Sequence, residues 1–391
     1  MSEPWLASIF WASVAVLAYA YVAYPLAIGA AARRRPLWRQ SAAEAPRSAS
    51  ILIAARDEEA NIGPRLEELT QVLVQTGGTG EILVGSDGST DRTAEVAEQF
   101  APRGVRVVTW SSGRGKAAML SALAREARGE ILVMADARQR WAPDALVRLL
   151  ENFADPAVGA VSGELRLESQ GGVLAGVGLY WRFETWLRKQ ESRLHSQVGV
   201  TGAIAAVRRE LFRPVPEGVI LDDVYWPLQV VLQGRRVVHD ERATAFDRLP
   251  DSAAGEMRRK IRTLAGNFQL IAVAPELLLP WRNPAWSVLV SHKLLRLAAP
   301  WAMLGALATS ALLGGPWYGA AFGLQAALLV VAVVGLTPWG ARNRVCAAAG
   351  SFLMLHAAAW AAFWVWSTGR SGRLWRPVSA TAASRDGDSA A

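Results

Sequence analysis

Residues 81–91 read EILVGSDGSTD, a short apolar strand pattern that runs into two acids and a series of turn-forming residues. Asp91 is a good helix N-cap residue, so the pattern predicts a helix over 91–100 directly after this strand. The same order of strand and helix recurs between about 48 and 250. Repeats of this length predict an α/β fold, with a mostly parallel sheet that carries helices on both faces. The other predicted strands lie at 50–55, 105–110 and 131–135, and further predicted helices begin near 62, 116 and 143.

Three of the predicted strands end in charged residues that could carry chemistry. The first strand is followed by Arg56 and Glu58, the second by Asp87, and the fourth by Asp136 and Arg138. Ligands of parallel sheets bind at the carboxyl ends of the strands, so these side chains are expected in one crevice. No G-x-G-x-x-G follows the first strand, which argues against a dinucleotide enzyme. An acid at a strand end can also be a turn or helix cap, and this alternative stays open for the last acid of 81–91.

The N-terminal segment has the pattern of a membrane anchor. Residues 5–32 carry no charged side chain, which is long enough for a helix that crosses the hydrocarbon core. The basic cluster 33–35 follows the apolar run, whereas a signal peptide would place its basic residues first. The sequence therefore predicts an uncleaved anchor over 1–34, with the following domain in the cytoplasm.

The C-terminal third predicts about three further membrane helices. Residues 297–341 are uncharged, and Gly314-Gly315-Pro316 divides them into predicted crossings near 295–313 and 317–338. Residues 345–369 predict a third crossing. Four crossings from an outside N-terminus place the polar, arginine-containing tail outside, against the charge rule, so a re-entrant segment remains an alternative. The predicted units are an anchor (1–34), a cytoplasmic domain (48–255), an interfacial amphipathic segment (256–284), a membrane bundle (285–369) and a disordered polar tail (370–391).

Charge and cysteine content exclude several other classes of protein. The net charge is +8, but the sequence has no nucleic-acid motif and no basic stripe with interleaved aromatic residues. Much of the positive charge lies beside apolar runs, at 33–35 and at Arg342 and Arg344, which favours a lipid membrane as partner. Cys346 is the only cysteine, so an intrachain disulfide is impossible.

Residues 86–91 resemble the DGSTD signature of glycosyltransferase family 2, whose members have the GT-A fold. An N-terminal anchor and a C-terminal helical bundle are also features of the membrane polysaccharide synthases in that family. Further elements fall in the family's order, and the resemblance covers about 48–270. They are AARDE at 54–58 (P-x-x-N-E), GRGK at 113–116 (GK), DAR at 136–138 (D-x-D), TGA at 201–203 with RRELF at 208–212 (G…RR-x-x-F), LDD at 221–223 (E-D) and RKIR at 259–262 (Q/R-x-x-R-W).

The resemblance implies a catalytic base and an acceptor site. Asp223 would be the general base that activates the acceptor hydroxyl, and Asp222 would increase its basicity through like-charge proximity. An alternative role for Asp222 is to cap the helix that follows. Thr201 and Gly202 would contact the acceptor. In-line attack by one activated acceptor oxygen implies inversion at the anomeric carbon.

The resemblance also implies a nucleotide-sugar site, and each residue type suits that ligand. Carboxylates such as Asp87 and Glu58 accept hydrogen bonds from ribose hydroxyls and the uracil NH. The guanidinium of Arg262 recognises phosphate, and Asp136 would bind a divalent cation, Mg²⁺ or Mn²⁺. Arg262 as an ordinary interfacial arginine and Lys116 as a solvated first residue of a helix remain alternatives. The whole predicted nucleotide-sugar site is Arg56, Glu58, Asp87, Lys116, Asp136, Arg138 and Arg262.

Two departures from the family pattern affect what the resemblance implies. Arg138 stands where the D-x-D element has its second acid, so one expected metal ligand is missing and metal dependence is less firmly implied. Either Asp136 alone anchors the metal, or Arg138 supplies part of its positive charge. Thr263 stands where the synthase motif has a tryptophan, which weakens the case for a processive polymerase.

The expected function is that of a membrane-bound inverting glycosyltransferase. It would move a sugar from a nucleotide-sugar donor, expected to be a UDP-sugar, to a growing polysaccharide. The expected location is the inner membrane, with the catalytic domain facing the cytoplasm. Two alternatives are single-sugar transfer to a lipid carrier or lipid-linked glycan, and a non-catalytic subunit that binds a nucleotide-sugar.

Overall fold

An eight-stranded sheet lies at the centre of the computed structural model, which describes residues 4–35, 46, 48–77, 80–168, 175–248 and 253–369. The strands predicted from the sequence correspond to the first four of the sheet. In chain order the strands are β1 (Ala49–Ala55), β2 (Gly80–Asp87), β3 (Val105–Trp110), β4 (Ile131–Ala135), β5 (Arg140–Trp141), β6 (Val158–Glu168), β7 (Ile204–Arg208) and β8 (Arg236–Arg248).

The sheet is parallel in one half and mixed in the other. Its spatial order is β3-β2-β1-β4-β7-β6-β8-β5. Strands β1 to β4 are parallel, with Ile53 opposite both Val84 and Ala135. Strand β7 runs antiparallel to β4 and β6, and β5 runs antiparallel to β8, while β6 and β8 are parallel. The predicted α/β class is confirmed.

Helices cover both faces of this sheet. They are α2 (Glu59–Gln75), α3 (Thr93–Glu98), α4 (Lys116–Glu126), α5 (Ala145–Glu151), α6 (Ala175–Leu194), α7 (Asp222–Leu232) and α8 (Ala253–Val273), with short 3₁₀ turns at Ala101–Arg103, Asn152–Ala154, Arg209–Leu211 and Pro275–Leu278. A further 3₁₀ turn, Gly340–Arg342, packs against the helices near the C-terminus. Strand side chains alternate between the faces. Leu52 of β1 packs in the core that contains α4 and α7, whereas Ile51 and Ile53 pack in the core that contains α2 and α5.

Among the described residues, four helices are long and apolar enough to cross a membrane, one near the N-terminus and three near the C-terminus. These four, called the membrane helices below, are α1 (Pro4–Arg33), α9 (Trp286–Leu312), α10 (Pro316–Gly335) and α11 (Arg344–Ser367). The break between α9 and α10 falls at the predicted place, because Gly315 adopts φ +101° directly before Pro316. Helix α9 begins earlier than the predicted boundary at 295, so its first turns carry His292, Lys293 and Arg296.

Helices α6 and α8 pack directly against the membrane helices. The Trp186 ring of α6 lies so close to Gly29 of α1 that a β-carbon there would be 3.1 Å from Cζ2. On α8, the Phe268 ring lies 5.6 Å from the Trp366 ring of α11. Helix α8 covers part of the predicted interfacial segment 256–284, whose position at a membrane surface stays a prediction. The predicted tail 370–391 lies outside the described residues.

Candidate active site

Asp87 at the end of β2 organises a glycine-containing loop. Its Oδ1 accepts the backbone N–H of Arg114 at 2.7 Å, and its Oδ2 accepts that of Gly115 at 2.8 Å. The side chain is almost fully buried. The next residue, Gly88, has φ +66°, and a β-carbon there would lie 2.4 Å from the backbone nitrogen of Gly113. Two loops therefore meet here at backbone distance, which only glycine at position 88 permits.

Glu58 lies at the wall of a larger cavity. Its Oε1 accepts Nε of Arg138 at 2.7 Å, and its Oε2 accepts the side-chain amide of Asn61 at 2.6 Å. The cavity has a volume of about 720 Å³, which suits a nucleoside. It is lined by Asp57, Glu58, Glu59, Ala60, Asn61, Asp91, Arg92, Val96 and Arg138.

Asp91 has a structural role in this wall. Its Oδ1 accepts the N–H and the hydroxyl of Thr93 at 3.0 and 2.5 Å, and its Oδ2 accepts the N–H of Glu59 at 3.0 Å. Both carboxylate oxygens therefore satisfy donors at the starts of α3 and α2. Asp91 is the helix-capping acid that the sequence left as an alternative.

Lys116 and Asp136 form an ion pair at the centre of the crevice. The Lys116 Nζ lies 2.6 Å from Oδ1 of Asp136. Burial opposes the charge of Lys116, but the Asp136 carboxylate, followed by Asp222, raises the pKa of this ammonium above its ordinary value. A β-carbon on Gly202 would lie 3.3 Å from Nζ, so the predicted acceptor loop approaches the same charge. Lys116 is thus a paired residue of the crevice and not a solvated first residue of α4.

Asp222 and Asp223 open helix α7 beside this ion pair. Burial raises the pKa of Asp223 to about 6, and the neighbouring Asp222 carboxylate adds to the increase. Burial also raises the pKa of Asp222, against the opposing charge of Lys116. The backbone carbonyl of Asp223 accepts the N–H of Val200 at 2.7 Å, which ties the start of α7 to the loop that carries Gly202. A carboxylate with a pKa near neutrality is suited to general base catalysis.

A second cavity, of about 300 Å³, is rich in cations. Its charged lining residues are Arg56, Arg114, Lys116, Arg262 and Asp222. Guanidinium and ammonium groups that converge on one space recognise phosphate oxygens. The structure therefore brings three residues of the predicted nucleotide-sugar site, Arg56, Lys116 and Arg262, around a space suited to a diphosphate.

The sequence did not identify two cations near Asp223. Arg188 on α6 and Lys293 on α9 both act on the Asp223 carboxylate and lower its pKa, although burial and Asp222 outweigh them. A signal for Lys293 is present in the sequence, because it is one of three ionisable residues in the first turns of a helix that could cross a membrane. Arg188 has no comparable signal, since it lies among several charged residues of α6.

The residues around Asp136 suit a metal ion that is coordinated partly by the protein and partly by phosphate oxygens of a bound substrate. No three His, Cys, Asp or Glu side chains in the described part of the chain are arranged to hold an ion. Arg138 pairs with Glu58 at 2.7 Å and supplies no carboxylate. Mg²⁺ is often held by one or two carboxylates together with substrate phosphates, and Asp136 beside the cationic cavity fits that mode. Within the described residues, the chain therefore provides no metal site built from protein ligands alone.

Residues 50–215 match the family described as Glycosyl transferase family 2. The chain therefore contains a family 2 glycosyltransferase domain. The matched range includes Asp87, Lys116, Asp136 and Gly202, while Asp223 lies just beyond it.

The chain is also similar to bacterial enzymes named as polysaccharide synthases. Poly-beta-1,6-N-acetyl-D-glucosamine synthases of Staphylococcus epidermidis and Staphylococcus aureus (strain COL) are each 22% identical over 229 residues. The aligned region is 57% of this chain and 55% of each relative, so the chain spans about half the length of these relatives.

The fold is similar to that of a solved mannosyltransferase. The mannosyltransferase PcManGT from Pyrobaculum calidifontis, solved in complex with GDP-Man and Mn²⁺, superposes with a TM-score of 0.71 at 24% identity. The superposition covers 93% of this chain and 99% of that protein. The family 2 domain and its membrane helices therefore share one overall architecture with that protein.

Proposed function

We propose that the protein is an inverting glycosyltransferase that moves a sugar from a nucleotide-sugar, preferably a UDP-sugar, to a growing polysaccharide. The observation that carries this proposal is the Asp223 carboxylate. Its pKa is raised to about 6, and it lies beside the Lys116–Asp136 ion pair at the cationic cavity. A proton acceptor next to a diphosphate site is what sugar transfer to a hydroxyl requires.

We assign the nucleoside and the diphosphate of the donor to different cavities. The nucleoside would occupy the larger cavity, where the Glu58 carboxylate accepts hydrogen bonds from its hydroxyl and NH groups. The diphosphate would lie in the cationic cavity against Arg56, Lys116 and Arg262. Asp87 acts through the loop that it holds, because both of its oxygens already accept backbone amides.

The transfer step places the acceptor hydroxyl next to Asp223. Its oxygen forms a bond to the anomeric carbon while its proton moves to the Asp223 carboxylate. The bond from that carbon to the diphosphate oxygen breaks, and the electron pair leaves with the nucleoside diphosphate. Lys116 and Arg262 stabilise the charge on the leaving group. Attack from the face opposite the leaving group inverts the anomeric configuration.

A divalent cation bound at Asp136 would neutralise further charge on the diphosphate. We propose Mg²⁺ or Mn²⁺, since both prefer oxygen ligands. The Lys116 ammonium already contacts the Asp136 carboxylate. When the donor and the metal bind, the metal would therefore either displace Lys116 from Asp136 or share the carboxylate with it.

We also propose that the catalytic domain faces the cytoplasm, at the inner membrane. Arg33 ends helix α1, and Arg34 and Arg35 follow it on the side of the domain, which is the orientation that the positive-inside rule favours. Nucleotide-sugar donors would then reach the site directly from the cytoplasm.

Single-sugar transfer to a lipid-linked glycan is the second candidate, and a specific observation favours it. Thr263 stands on α8 where a stacking tryptophan would serve a processive enzyme, and its hydroxyl donates to the Arg259 carbonyl at 3.0 Å within the helix. A non-catalytic binding subunit is less well supported, because it would have no use for the adjacent carboxylates of Asp222 and Asp223, whose pKa values are both raised.

The test of the proposed function is donor turnover by the full chain in lipid nanodiscs. UDP- and GDP-sugars would be supplied one at a time, with Mn²⁺, Mg²⁺ or EDTA, and release of nucleoside diphosphate would be measured. We expect one donor to turn over and its sugar to appear on a glycan or lipid with inverted configuration by NMR. Binding of a donor without turnover would favour the non-catalytic subunit, and retention of configuration would contradict the role of Asp223.

The pH dependence of turnover reports the state of Asp223. Only the unprotonated base is active, so kcat/KM is expected to fall about tenfold per pH unit below a pKa of about 6. Asp222→Asn removes the like charge, so this acid limb should move to lower pH. The control Asp144→Asn changes an exposed acid that pairs with Arg148 at 3.0 Å, and it should leave the limb in place. An unmoved limb in Asp222→Asn would mean that burial alone raises the pKa.

Restoring the missing acid should strengthen metal binding. Arg138→Asp places a carboxylate two residues after Asp136 and removes a cation, so Mn²⁺ affinity in the presence of UDP should rise about tenfold. Electron paramagnetic resonance of free Mn²⁺ measures this directly. The matched control is Arg138→Ala, which also frees Glu58 but adds no ligand. Equal affinities in the two variants would show that the position does not reach the metal.

A further inference from the structure

Strands β4 and β7 meet at the two sides of the candidate site. The last residues that pair between them are Ala135 and Ile204. The chain continues from β4 into Asp136, which we assigned to the donor side, and it enters β7 from Ala203, which ends the predicted acceptor loop 201–203. Both segments lie just beyond the paired residues, so the contacts that hold them there set the distance between donor and acceptor.

The acceptor loop lies close to both charged groups of the proposed reaction. A β-carbon on Gly202 would lie 3.3 Å from Nζ of Lys116 and 3.8 Å from Cβ of Asp223. A displacement of about 1 Å in such a site can reduce a rate about a hundredfold. The position of this loop is therefore part of the catalytic geometry.

A buried arginine of α2 holds the Asp136 side. The Nε of Arg65 donates to the backbone carbonyl of Asp136 at 3.2 Å, and its Nη1 donates to Oε1 of Glu68 at 2.8 Å. Arg65 is 3% exposed, and among the described residues its Nη2 has no hydrogen-bond partner. A guanidinium buried with one carboxylate contributes little stability compared with an apolar side chain of similar size. Stability alone therefore does not explain an arginine at this position.

Trp141 of β5 holds the acceptor loop and contacts the same arginine. Its indole N–H donates to the carbonyl of Ala203 at 2.9 Å, and its backbone N–H donates to Oε1 of Glu68 at 2.5 Å. The Arg65 guanidinium lies over the buried ring, 4.7 Å from its centre. One carboxylate oxygen and one aromatic ring thus join the two sides of the site.

We propose that Arg65 and Trp141 are positioning residues, which fix the acceptor loop relative to Asp136 and so align the acceptor hydroxyl with the donor. Arg65 restrains the carbonyl of Asp136, and Trp141 restrains Ala203 next to Gly202. Neither side chain lines the two donor cavities, so both act through the residues that they hold. No bond is made or broken at either residue. This inference rests on the proposed function.

Two substitutions remove these contacts with little change in shape. Trp141→Phe keeps a ring beside Arg65 and removes only the indole N–H that binds Ala203. Arg65→Met fills similar space, and the Glu68 side chain it leaves is 26% exposed and stays in contact with water. We expect both variants to fold, with melting temperatures lowered by only a few degrees. In each, kcat should fall about 10–100-fold while the KM for the donor and the Kd for UDP stay nearly unchanged.

Two further measurements separate the contributions of the two residues without using turnover. Hydrogen–deuterium exchange of the full chain in nanodiscs follows the amides of Val200 and Thr201, which donate to the Asp223 carbonyl and the Ser162 hydroxyl. Loss of one hydrogen bond should speed this exchange about tenfold in Trp141→Phe.

Metal affinity reports the other side of the site. Electron paramagnetic resonance of free Mn²⁺ in the presence of UDP should show affinity about tenfold weaker in Arg65→Met, which releases the carbonyl of Asp136. Trp141→Phe should leave this affinity unchanged. Arg65→Lys keeps the charge and one donor, and it should recover part of both kcat and Mn²⁺ affinity.

Arg103→Met provides a matched control on the protein surface. Arg103 also pairs with a glutamate of α2, Glu67, and lies 5.4 Å from the centre of the Phe100 ring, but it is exposed. This variant should match the wild type in every measurement. If Arg65→Met and Trp141→Phe also match it, the positioning role is overturned. If they lose UDP affinity in proportion to kcat, the two residues only support the fold and the inference fails.

Turnover by the wild type separates this inference from the proposed function. If the wild type consumes donor and the two variants consume it equally fast, the inference fails and the proposed function stands. If no donor is consumed by the wild type, the proposed function fails. Faster exchange in Trp141→Phe would then still support the hold on the acceptor loop, and unchanged exchange would overturn it.

Discussion

Asp223→Asn is expected to reduce kcat by about 10²–10⁴-fold while leaving nucleoside diphosphate affinity nearly unchanged. The amide has the shape of the carboxylate but cannot accept the proton of the acceptor hydroxyl at neutral pH. Asp223 lines neither donor cavity, so its replacement should not disturb the donor. The measurement is single-turnover product formation at saturating donor, together with the Kd for UDP.

Asp222→Asn is the matched control that distinguishes loss of the base from loss of any neighbouring carboxylate. Asp222 lies at the cationic cavity and acts on Asp223 as a like charge, so its amide variant should retain far more activity at pH 8. Loss of UDP affinity in Asp223→Asn as large as the loss of rate would place Asp223 in the donor site. Wild-type kcat in that variant would exclude it as the base.

Asp87→Ala is expected to lower both the stability of the protein and its affinity for UDP. Asp87 is 3% exposed, and its two oxygens accept the backbone amides of Arg114 and Gly115. Hydrogen bonds to a charged group contribute about 1.5–3 kcal/mol each, so loss of the two should lower the free energy of unfolding by about 3–6 kcal/mol. The loop would also lose the contact that holds it beside the cationic cavity. Thermal unfolding in nanodiscs and UDP titration measure the two effects.

A surface acid provides the control for Asp87→Ala. Asp144→Ala removes an exposed partner of Arg148, and exposed pairs of this kind contribute about 0–1 kcal/mol. A melting temperature of Asp87→Ala equal to that of Asp144→Ala would contradict the organising role of Asp87. Reduced UDP affinity without reduced stability would instead support direct contact between Asp87 and the nucleoside.

The first half of the sheet could be predicted because its signals are local. Strands β1 to β4 are short apolar runs that end at turn-forming or charged residues, as at Asp87 and Asp136. The membrane helices are equally local, since each is an apolar run long enough to span. Strands β5 to β8 depend on pairing between distant segments, such as Ser162 opposite both Ala205 and His239. No local periodicity specifies such pairs, so the antiparallel strand β7 was not predicted.

The candidate site also contains some features that local sequence motifs predict and others that depend on contacts between distant segments. Glu58, Asp136 and Asp223 follow from their family motifs, and the structure brings them to one crevice. The ion pair of Lys116 with Asp136 and the two amides on Asp87 depend on loop geometry, which no motif contains. The contacts of His292 on α9 with Glu184 and Glu191 of α6 join residues about 100 positions apart in sequence.

A buried ionic network between α6 and α9 also limits which chimeras of this protein and its relatives can fold. Glu184 and Glu191 belong to the catalytic part, whereas His292 and Arg296 belong to the membrane part. A chimera that joins one part to a foreign counterpart would bury charges without their partners, at about 3–5 kcal/mol for each broken pair. The sheet and the helical bundle therefore cannot be exchanged separately. A chimera that folds would have to take α6 and α9 from the same protein.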